Sequence, residues 1–302
     1  TYVRLDPWEI HEDCRAFSAE ELQSFVDDLI HRYLKWARPF HEWYDTRDTS
    51  ISELTFPFPE YRKGQRRLAV AVYRTIEAEC RLFAQAPTGI GKTVSAVFPT
   101  IKAMGEGHLD KIFYLTAKTI GRTVAEKTID DLRQGGLALK SVTLTAKDKI
   151  CFNPHDLTTC DPEQCEFAIG YYDRINDAVA DAFQSDAMSR PFIEDIGRKH
   201  TVCPFELSLD LSLWADVIIC DYNYVFDPRV YLRRFFQEMT GHYVFLIDEA
   251  HNLVERAREM FSASLNKQVI MNLRRDIKPH QPTIARRLST MNTFFVGLRK
   301  LC

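Results

Sequence analysis

Two motifs far apart in the chain most narrow the folds open to it: a phosphate-loop octapeptide, APTGIGKT at Ala86–Thr93, and an acidic tetrad, DEAH at Asp248–His251. The first belongs on a strand–turn–helix junction, because glycines let backbone N–H groups approach phosphate oxygens and a helix N-terminus adds its positive dipole end. The second follows the apolar run Tyr243–Ile247, which sets two carboxylates at the end of a strand, where open α/β sheets take ligands. Between them lie four spaced cysteines, Cys151, Cys160, Cys165 and Cys203. A parallel sheet brings such a loop and such a strand end together, and the cysteines mark an insertion into it.

The rest of the pattern agrees. Apolar runs at Arg81–Ala86, Lys111–Ala117, Lys140–Thr145, Asp216–Cys220 and Tyr243–Ile247 read as strands, and helical periodicity occupies Arg66–Ala78, Gly91–Met104 and Thr119–Arg133. Pro99 is expected to kink the second of these helices. Strands alternating with helices predict an α/β fold, a parallel sheet flanked by helices on both faces. Residues 18–45 read as an amphipathic helix: Ser18 and Glu21 fit a capping box, and Leu22, Phe25, Val26, Leu29, Ile30, Tyr33, Leu34 and Trp36 keep helical spacing. The two prolines and the glycine of Thr55–Gln65 make a joint. From Cys151 to Cys203 no strand pattern appears, and Glu166–Phe183 looks helical.

Composition excludes some classes. With 302 residues, 45% of them hydrophobic, the chain can bury one sizeable core with an appendage or two modest ones. No run of about 18 apolar residues offers a membrane span, and residues 1–15 carry no secretory signal pattern. Eight cysteines without such a signal suit a reducing, cytoplasmic setting, where clustered thiols bind metal more often than they pair. A start at Thr1 and an end inside a helical pattern at Cys302 suggest a piece of a longer polypeptide. Residues 1–60 hold 13 acids against 6 bases, and residues 255–302 hold 10 bases against 3 acids. A basic tail suits a polyanion, although a basic helical face can equally be a solvated one.

The nucleotide chemistry follows from residue types. Pro87, Thr88, Gly89 and Gly91 form the loop, Lys92 reaches the β- and γ-phosphates of ATP, and the Thr93 hydroxyl holds Mg²⁺. Ala86 stands where such loops usually begin with glycine. Asp248 is the second Mg²⁺ carboxylate, and Glu249 orients and deprotonates the attacking water. Lys92, Asp248, Glu249 and His251 form the expected catalytic set. The cysteines are less decided by spacing: 8, 4 and 37 residues separate successive members. Four thiolates suit tetrahedral zinc or an iron–sulfur cluster. A single tight pair leans towards the cluster, and buried structural thiols are a third reading. Cys220, inside an apolar run, reads as core, while Cys14, Cys80 and Cys302 have no partner by spacing.

In this order the motifs resemble the first motor domain of an XPD/DinG-like, iron–sulfur, DEAH-box DNA helicase of superfamily 2. The resemblance covers roughly residues 56–262. EYRKGQ places Arg62 and Gln65 at that family's adenine-reading positions, and YLTAKT (Tyr114–Thr119) resembles its motif Ia, so that Thr116, Ala117 and Lys118 become candidate contacts to the DNA backbone. Cys203-Pro204 followed by ADVIICDYNYVFDP (Ala215–Pro228) resembles the return from a [4Fe–4S] domain. The resemblance thus implies a RecA-like sheet with a mostly helical iron–sulfur insertion at 148–206, a first motor domain at 55–262, a helical arch beginning at 263–302, and a preceding segment at 1–54 that ends an upstream domain. It implies ATP, Mg²⁺ and a [4Fe–4S] cluster as cofactors, single-stranded or forked DNA as partner, no membrane, and a second motor domain outside this chain. Translocation would run 5′→3′, at the bacterial nucleoid. Tyr222 and Tyr224, with Tyr171 and Tyr172, either stack on unpaired bases or pack in the core. A nucleotide-gated clamp, or a motor feeding an upstream nuclease, is the alternative function.

Overall fold

The computed structural model describes residues 15–87, 89–153, 160–263 and 266–298. Thr88, Cys14 and Cys302 therefore lie outside the described residues. In chain order the elements are α1 (Ala19–Glu53), α2 (Gln65–Glu77), α3 (Lys92–Gly105), β1 (Lys111–Leu115), α4 (Thr119–Gln134), β2 (Ser141–Thr143), α5 (Lys147–Ile150), α6 (Tyr171–Ala182), β3 (Ala187–Met188) and α7 (Arg190–His200). They continue with α8 (Pro204–Trp214), β4 (Val217–Cys220), α9 (Asn223–Phe226), α10 (Arg233–Phe236), β5 (Tyr243–Ile247), α11 (Leu253–Met260), α12 (Lys267–Ile277) and α13 (Pro282–Leu298). The chain divides into two compact units, Thr1–Asp221 with Arg233–Asp248, and Tyr222–Leu232 with Glu249–Cys302.

The first unit holds a five-stranded parallel sheet in the order β3-β2-β4-β1-β5. Ile112 of β1 lies opposite both Val217 of β4 and Val244 of β5. Side chains alternate across a strand, and the two faces are filled differently. Ile112, Tyr114, Val217, Ile219, Val244 and Leu246 meet Ile51, Leu54, Val97, Ile101, Met104, Ile129 and Leu132 from α1, α3 and α4. On the opposite face Phe113 stacks on Phe245 and meets Phe235, Phe236 and Tyr243 edge-on or tilted, with centroids 5.3–5.6 Å away. Burial on both faces is why β1 and β4 read as continuous apolar runs, whereas the edge strand β5 is only half-buried. Each fully buried Ile or Leu contributes about 1.5–3 kcal/mol.

Three expectations need correction. Arg81–Ala86 forms no strand: it makes no ladder, and Phe83 is 92% exposed. The outer edge of β5 carries no partner strand among the described residues, and an apolar run becomes a strand only where it pairs with such an edge, which this exposed segment does not do. The cysteine-bearing stretch is not free of strand, since Ala187–Met188 pairs with Ser141–Val142 and extends the sheet. The first helix runs well past residue 45, to Glu53, with Pro39 inside it. Its capping box forms as read, with the Ser18 hydroxyl accepting from the Glu21 N–H and the Glu21 carboxylate accepting from the Ser18 N–H. Pro99 likewise sits within an uninterrupted α3.

Buried charge closes the sheet at the end where its strands begin. The Arg47 guanidinium of α1 meets the Asp216 carboxylate at 2.9 Å, both nearly fully buried. Asp216 also accepts from the Lys140 N–H at 2.8 Å and from the Trp43 indole at 3.3 Å. The Lys140 ammonium lies 3.9 Å from the Trp43 ring centroid and donates to the Phe183 carbonyl. Lys111, at the first position of β1, donates to the Leu213 and Ala215 carbonyls.

The second unit includes α11 and the antiparallel-reading pair α12 and α13, which pack on one another. Arg274, Arg275, Arg286 and Arg287 lie on these two helices.

Candidate nucleotide site and cysteine cluster

The phosphate loop takes the backbone shape that glycine permits. Gly89 and Gly91 have φ of +85° and +78°, a left-handed region strained for other residues. Gly91 caps α3, so Lys92 and Thr93 are the first helical residues. A side chain at Gly91 would also displace Gln65, whose amide nitrogen lies 2.4 Å from where the Cβ would be. Gln65 is 2% exposed, and its amide oxygen accepts from the Arg62 N–H at 2.9 Å. The Arg62 guanidinium in turn donates to the Gly89 carbonyl. Arg62 and Gln65, which local pattern placed in a joint and the family resemblance at the adenine side, are thus assembled against the loop. Beside them Tyr61 stacks on Phe56 with centroids 4.0 Å apart.

The acidic strand end lies on the sheet against which α3 packs. Asp248 continues the register of β5, donating its N–H to the Leu115 carbonyl at 2.9 Å. Glu249 follows with φ +50° and ψ +47°, a conformation costing a non-glycine residue on the order of 1 kcal/mol or more. Within the second unit its carbonyl accepts from the Tyr222 hydroxyl at 3.2 Å and the Asn252 amide at 3.0 Å. Its carboxylate lies 3.4 Å from the His251 ring.

One residue of this region was missed. A Cβ on Gly121, in the first turn of α4, would fall 2.1 Å from the Thr116 hydroxyl and 3.3 Å from an Asp248 carboxylate oxygen. The glycine lets α4 close against both. Its only signal was an isolated glycine inside a helical pattern, which usually has a packing reason.

The candidate DNA contacts separate sharply. Thr116 is 3% exposed, and its hydroxyl is engaged with the backbone of Lys118; Ala117 is half-buried and Lys118 exposed. Tyr222 is fully buried and its hydroxyl is committed to the Glu249 carbonyl, so it offers no face for a base, contrary to the stacking expectation. Tyr171 is 8% exposed and donates to Asp210 at 2.7 Å; burial and that bond push its phenol pKa well up. Tyr224 is half-buried, and Tyr172 is 87% exposed.

Each of the four cysteines has a close polar neighbour. Cys151 ends α5 and its thiol faces the Asn153 carbonyl at 3.5 Å, while the Asn153 amide faces the Cys165 sulfur at 3.7 Å. The Cys203 N–H donates to the Phe167 carbonyl, two residues beyond Cys165. Lys147 hydrogen-bonds Cys160, which raises the lysine pKa. Burial raises the Cys203 thiol, opposed by backbone N–H groups of the first turn of α8. As a donor set, four free thiols at a partly open surface suit a metal cluster, and Cys220, fully buried and raised by desolvation, does not belong with them. Among the described residues, however, no group of three or more His, Cys, Asp or Glu closes on a common metal position.

With left-handed glycines opening α3, which packs on a parallel sheet whose strand β5 runs into Asp248, the first unit is an α/β unit flanked by helices. The chain belongs to the DEAD_2 family, whose model matches residues 116–270, just over half of it. It is similar to the human regulator of telomere elongation helicase 1, 25% identical over 260 residues, covering 70% of this chain and 21% of that protein. The homologue from Caenorhabditis elegans is 23% identical over 256 residues, 71% of this chain and 26% of the relative. Among solved structures an XPD helicase matches with a TM-score of 0.52 at 20% identity, covering 78% of this chain and 40% of the other, a likeness of fold. The chain spans about a quarter of the length of these curated relatives. No helix among the described residues is long and apolar enough to cross a membrane.

Proposed function

We propose that this chain is the nucleotide-hydrolysing part of an ATP-dependent DNA helicase that moves on single-stranded DNA and opens duplex. Residues 55–262 would be the first motor domain, interrupted by the cysteine insertion at 148–206, preceded by 1–54 and followed by the start of a helical arch at 263–302. The observation that carries this reading is the pair of left-handed glycines opening α3 on the unit whose sheet ends at Asp248. Family membership and the helicase names of the relatives support it.

In this mechanism the loop N–H groups and Lys92 bind the β- and γ-phosphates, Arg62 and Gln65 sit at the adenine side, and Thr93 and Asp248 hold Mg²⁺. When bound, Mg²⁺ neutralises charge that develops on the phosphate oxygens. Glu249 orients the water and takes its proton, and the adjacent His251 ring positions that carboxylate. Cys151, Cys160, Cys165 and Cys203 would hold a [4Fe–4S] cluster, which braces the insertion. Lys118 and the exposed arginines of the second unit would meet the DNA backbone, with salt-sensitive affinity. A reducing, intracellular setting follows from the thiols.

The deciding experiment uses Glu249→Gln in the full-length polypeptide. ATP and Mg²⁺ should still bind, while hydrolysis falls about 10²–10⁴-fold and forked duplex stays closed. Hydrolysis at the normal rate would remove Glu249 from its role, and a wild-type protein that binds no ATP would overturn the reading. For the cluster, anaerobically purified chain should carry iron that Cys160→Ser or Cys203→Ser loses and Cys220→Ser keeps; one tightly held zinc would replace it with a zinc site.

A further inference from the structure

The N-terminal half of α1 carries an apolar stripe that nothing among the described residues covers. Leu22, Phe25, Val26, Leu29 and Tyr33 recur at helical i, i+3, i+4 spacing and are 44–70% exposed. The same stripe continues down the helix through Trp36, Phe40, Trp43, Arg47 and Ile51, and there it is docked. Trp36 and Phe40 meet Trp214 at centroid distances of 5.4 and 5.1 Å, and Ile51 is 1% exposed in the core. One continuous face is therefore half interface and half bare. Single exposed apolar residues are ordinary, but a rimmed, contiguous stripe marks a contact surface.

Charge along the bare half points to its occupant. Residues 19–28 carry Glu20, Glu21, Asp27 and Asp28 with no base; residues 29–38 carry His31, Arg32, Lys35 and Arg38 with no acid. A helix laid antiparallel on an identical helix sets each acidic end beside the partner's basic end, with Leu29 at the two-fold centre. On the flank of the stripe Glu21 then faces Lys35 of the second copy, and Asp28 lies near its Arg32. Within one chain Asp28 already pairs with Arg32 at 2.8 Å, so the flank is polarised for such an exchange. A parallel pair would place like charges together.

We infer that the bare half of α1 is a self-association surface, on which a second copy of this chain pairs antiparallel through Leu22, Phe25, Leu29 and Tyr33. A closed two-fold contact of this kind is self-complementary and ends at the dimer. Four helical turns make a small interface, at the low end of the sizes that hold specific complexes, so the dimer should be weak and concentration-dependent.

The test is sedimentation velocity on residues 1–302 between about 1 and 100 µM, the range in which small interfaces exchange. The expected result is a monomer–dimer equilibrium that Leu29→Glu shifts at least tenfold towards monomer, because it sets two carboxylates at the symmetry centre. Leu29 is exposed, so the variant should keep its helix content by circular dichroism. Lys35→Glu should weaken the dimer less, by opposing Glu21 of the second copy. A chain that stays monomeric at 100 µM, or a dimer indifferent to Leu29→Glu, would overturn the inference. Slow amide exchange at residues 19–33 in such a monomer would assign the stripe to another part of its own chain instead.

Discussion

At the end where its strands begin, the sheet is sealed by buried charge; at the end where they finish, it is left to loops. Asp216 and Lys140 immediately precede β4 and β2, Lys111 opens β1, and each has its hydrogen-bonding groups met within a few ångströms. At the other end β5 runs through Asp248 into a turn, and Gly121 lets α4 close against Thr116 and Asp248. The contrast shows where this fold places stability and where it places ligand chemistry. A buried ion pair fixes one arrangement, because losing a partner strands a charge in a medium that cannot solvate it. A phosphate loop must instead keep its donors free for an anion that comes and goes.

The largest test of this contrast is Asp216→Ala. It strands the Arg47 guanidinium and leaves the Lys140 N–H and the Trp43 indole without their acceptor, so unfolding free energy should fall by about 3–5 kcal/mol, read by urea titration. A loss below about 1 kcal/mol would mean that the network is ornamental and the contrast false.

A second test uses pH. Burial holds the Lys111 ammonium down to about 8, against about 10.4 in an unfolded chain. A base whose pKa falls on folding binds fewer protons in the folded state, so its cost is full below pH 8 and is relieved as pH rises towards about 10.4. Stability of the wild type relative to Lys111→Met should therefore increase across that window, by at most about 3 kcal/mol. A flat difference would show that the two carbonyl acceptors keep the ammonium charged.

Gly121→Ala carries the test to the other end. The added methyl meets the Thr116 hydroxyl, and overpacking of this kind costs about 1–3 kcal/mol, against which helix propensity returns less than about 1 kcal/mol. Thr116→Ala in the same chain should recover part of the loss, a coupling that differential scanning calorimetry of the four proteins would measure. Additive effects would place the clash elsewhere.

The same contrast explains what could be read from sequence. Strands β1 and β4 were legible because burial on both faces leaves continuous apolar runs, and β5 because its half-buried run keeps the same composition. Gly89 and Gly91 were legible because a left-handed turn restricts residue type. Arg81–Ala86 was misread because an apolar run does not report whether it pairs with a neighbouring edge, and the outer edge of β5 has no partner strand among the described residues. The sealing network was invisible: Arg47, Lys111, Lys140 and Asp216 are spread over 170 positions, and nothing local marks a lysine as buried. For Tyr222 the sequence left stacking and core packing both open, and the structure takes the second; its hydroxyl partner, the Glu249 carbonyl, is a backbone atom with no sequence signature. The four cysteines were read as a metal set from their clustering alone, and among the described residues no three of them close on a common metal position.

The smallest expected effect on stability is that of Lys92→Ala, and it sharpens the comparison most. Lys92 is the first residue of α3, beside Gly91. A cation there opposes the helix dipole, so its removal should change stability by less than about 0.5 kcal/mol and more readily raise it than lower it. The loop glycines and the Arg62–Gln65 contacts stay in place, because none of them involves the lysine side chain. Nucleotide binding should nevertheless collapse, since the β- and γ-phosphates lose their charged partner. Thermal unfolding with and without Mg²⁺–ATP reads both quantities in one experiment. The wild type should gain in melting temperature with ligand, as any ligand that binds only the folded state requires. The variant should melt at the wild-type apo temperature in either condition. If Lys92→Ala melted as low as Asp216→Ala, the phosphate loop would be part of the structural frame rather than a site mounted on it, and the division of labour between the two ends of the sheet would fail.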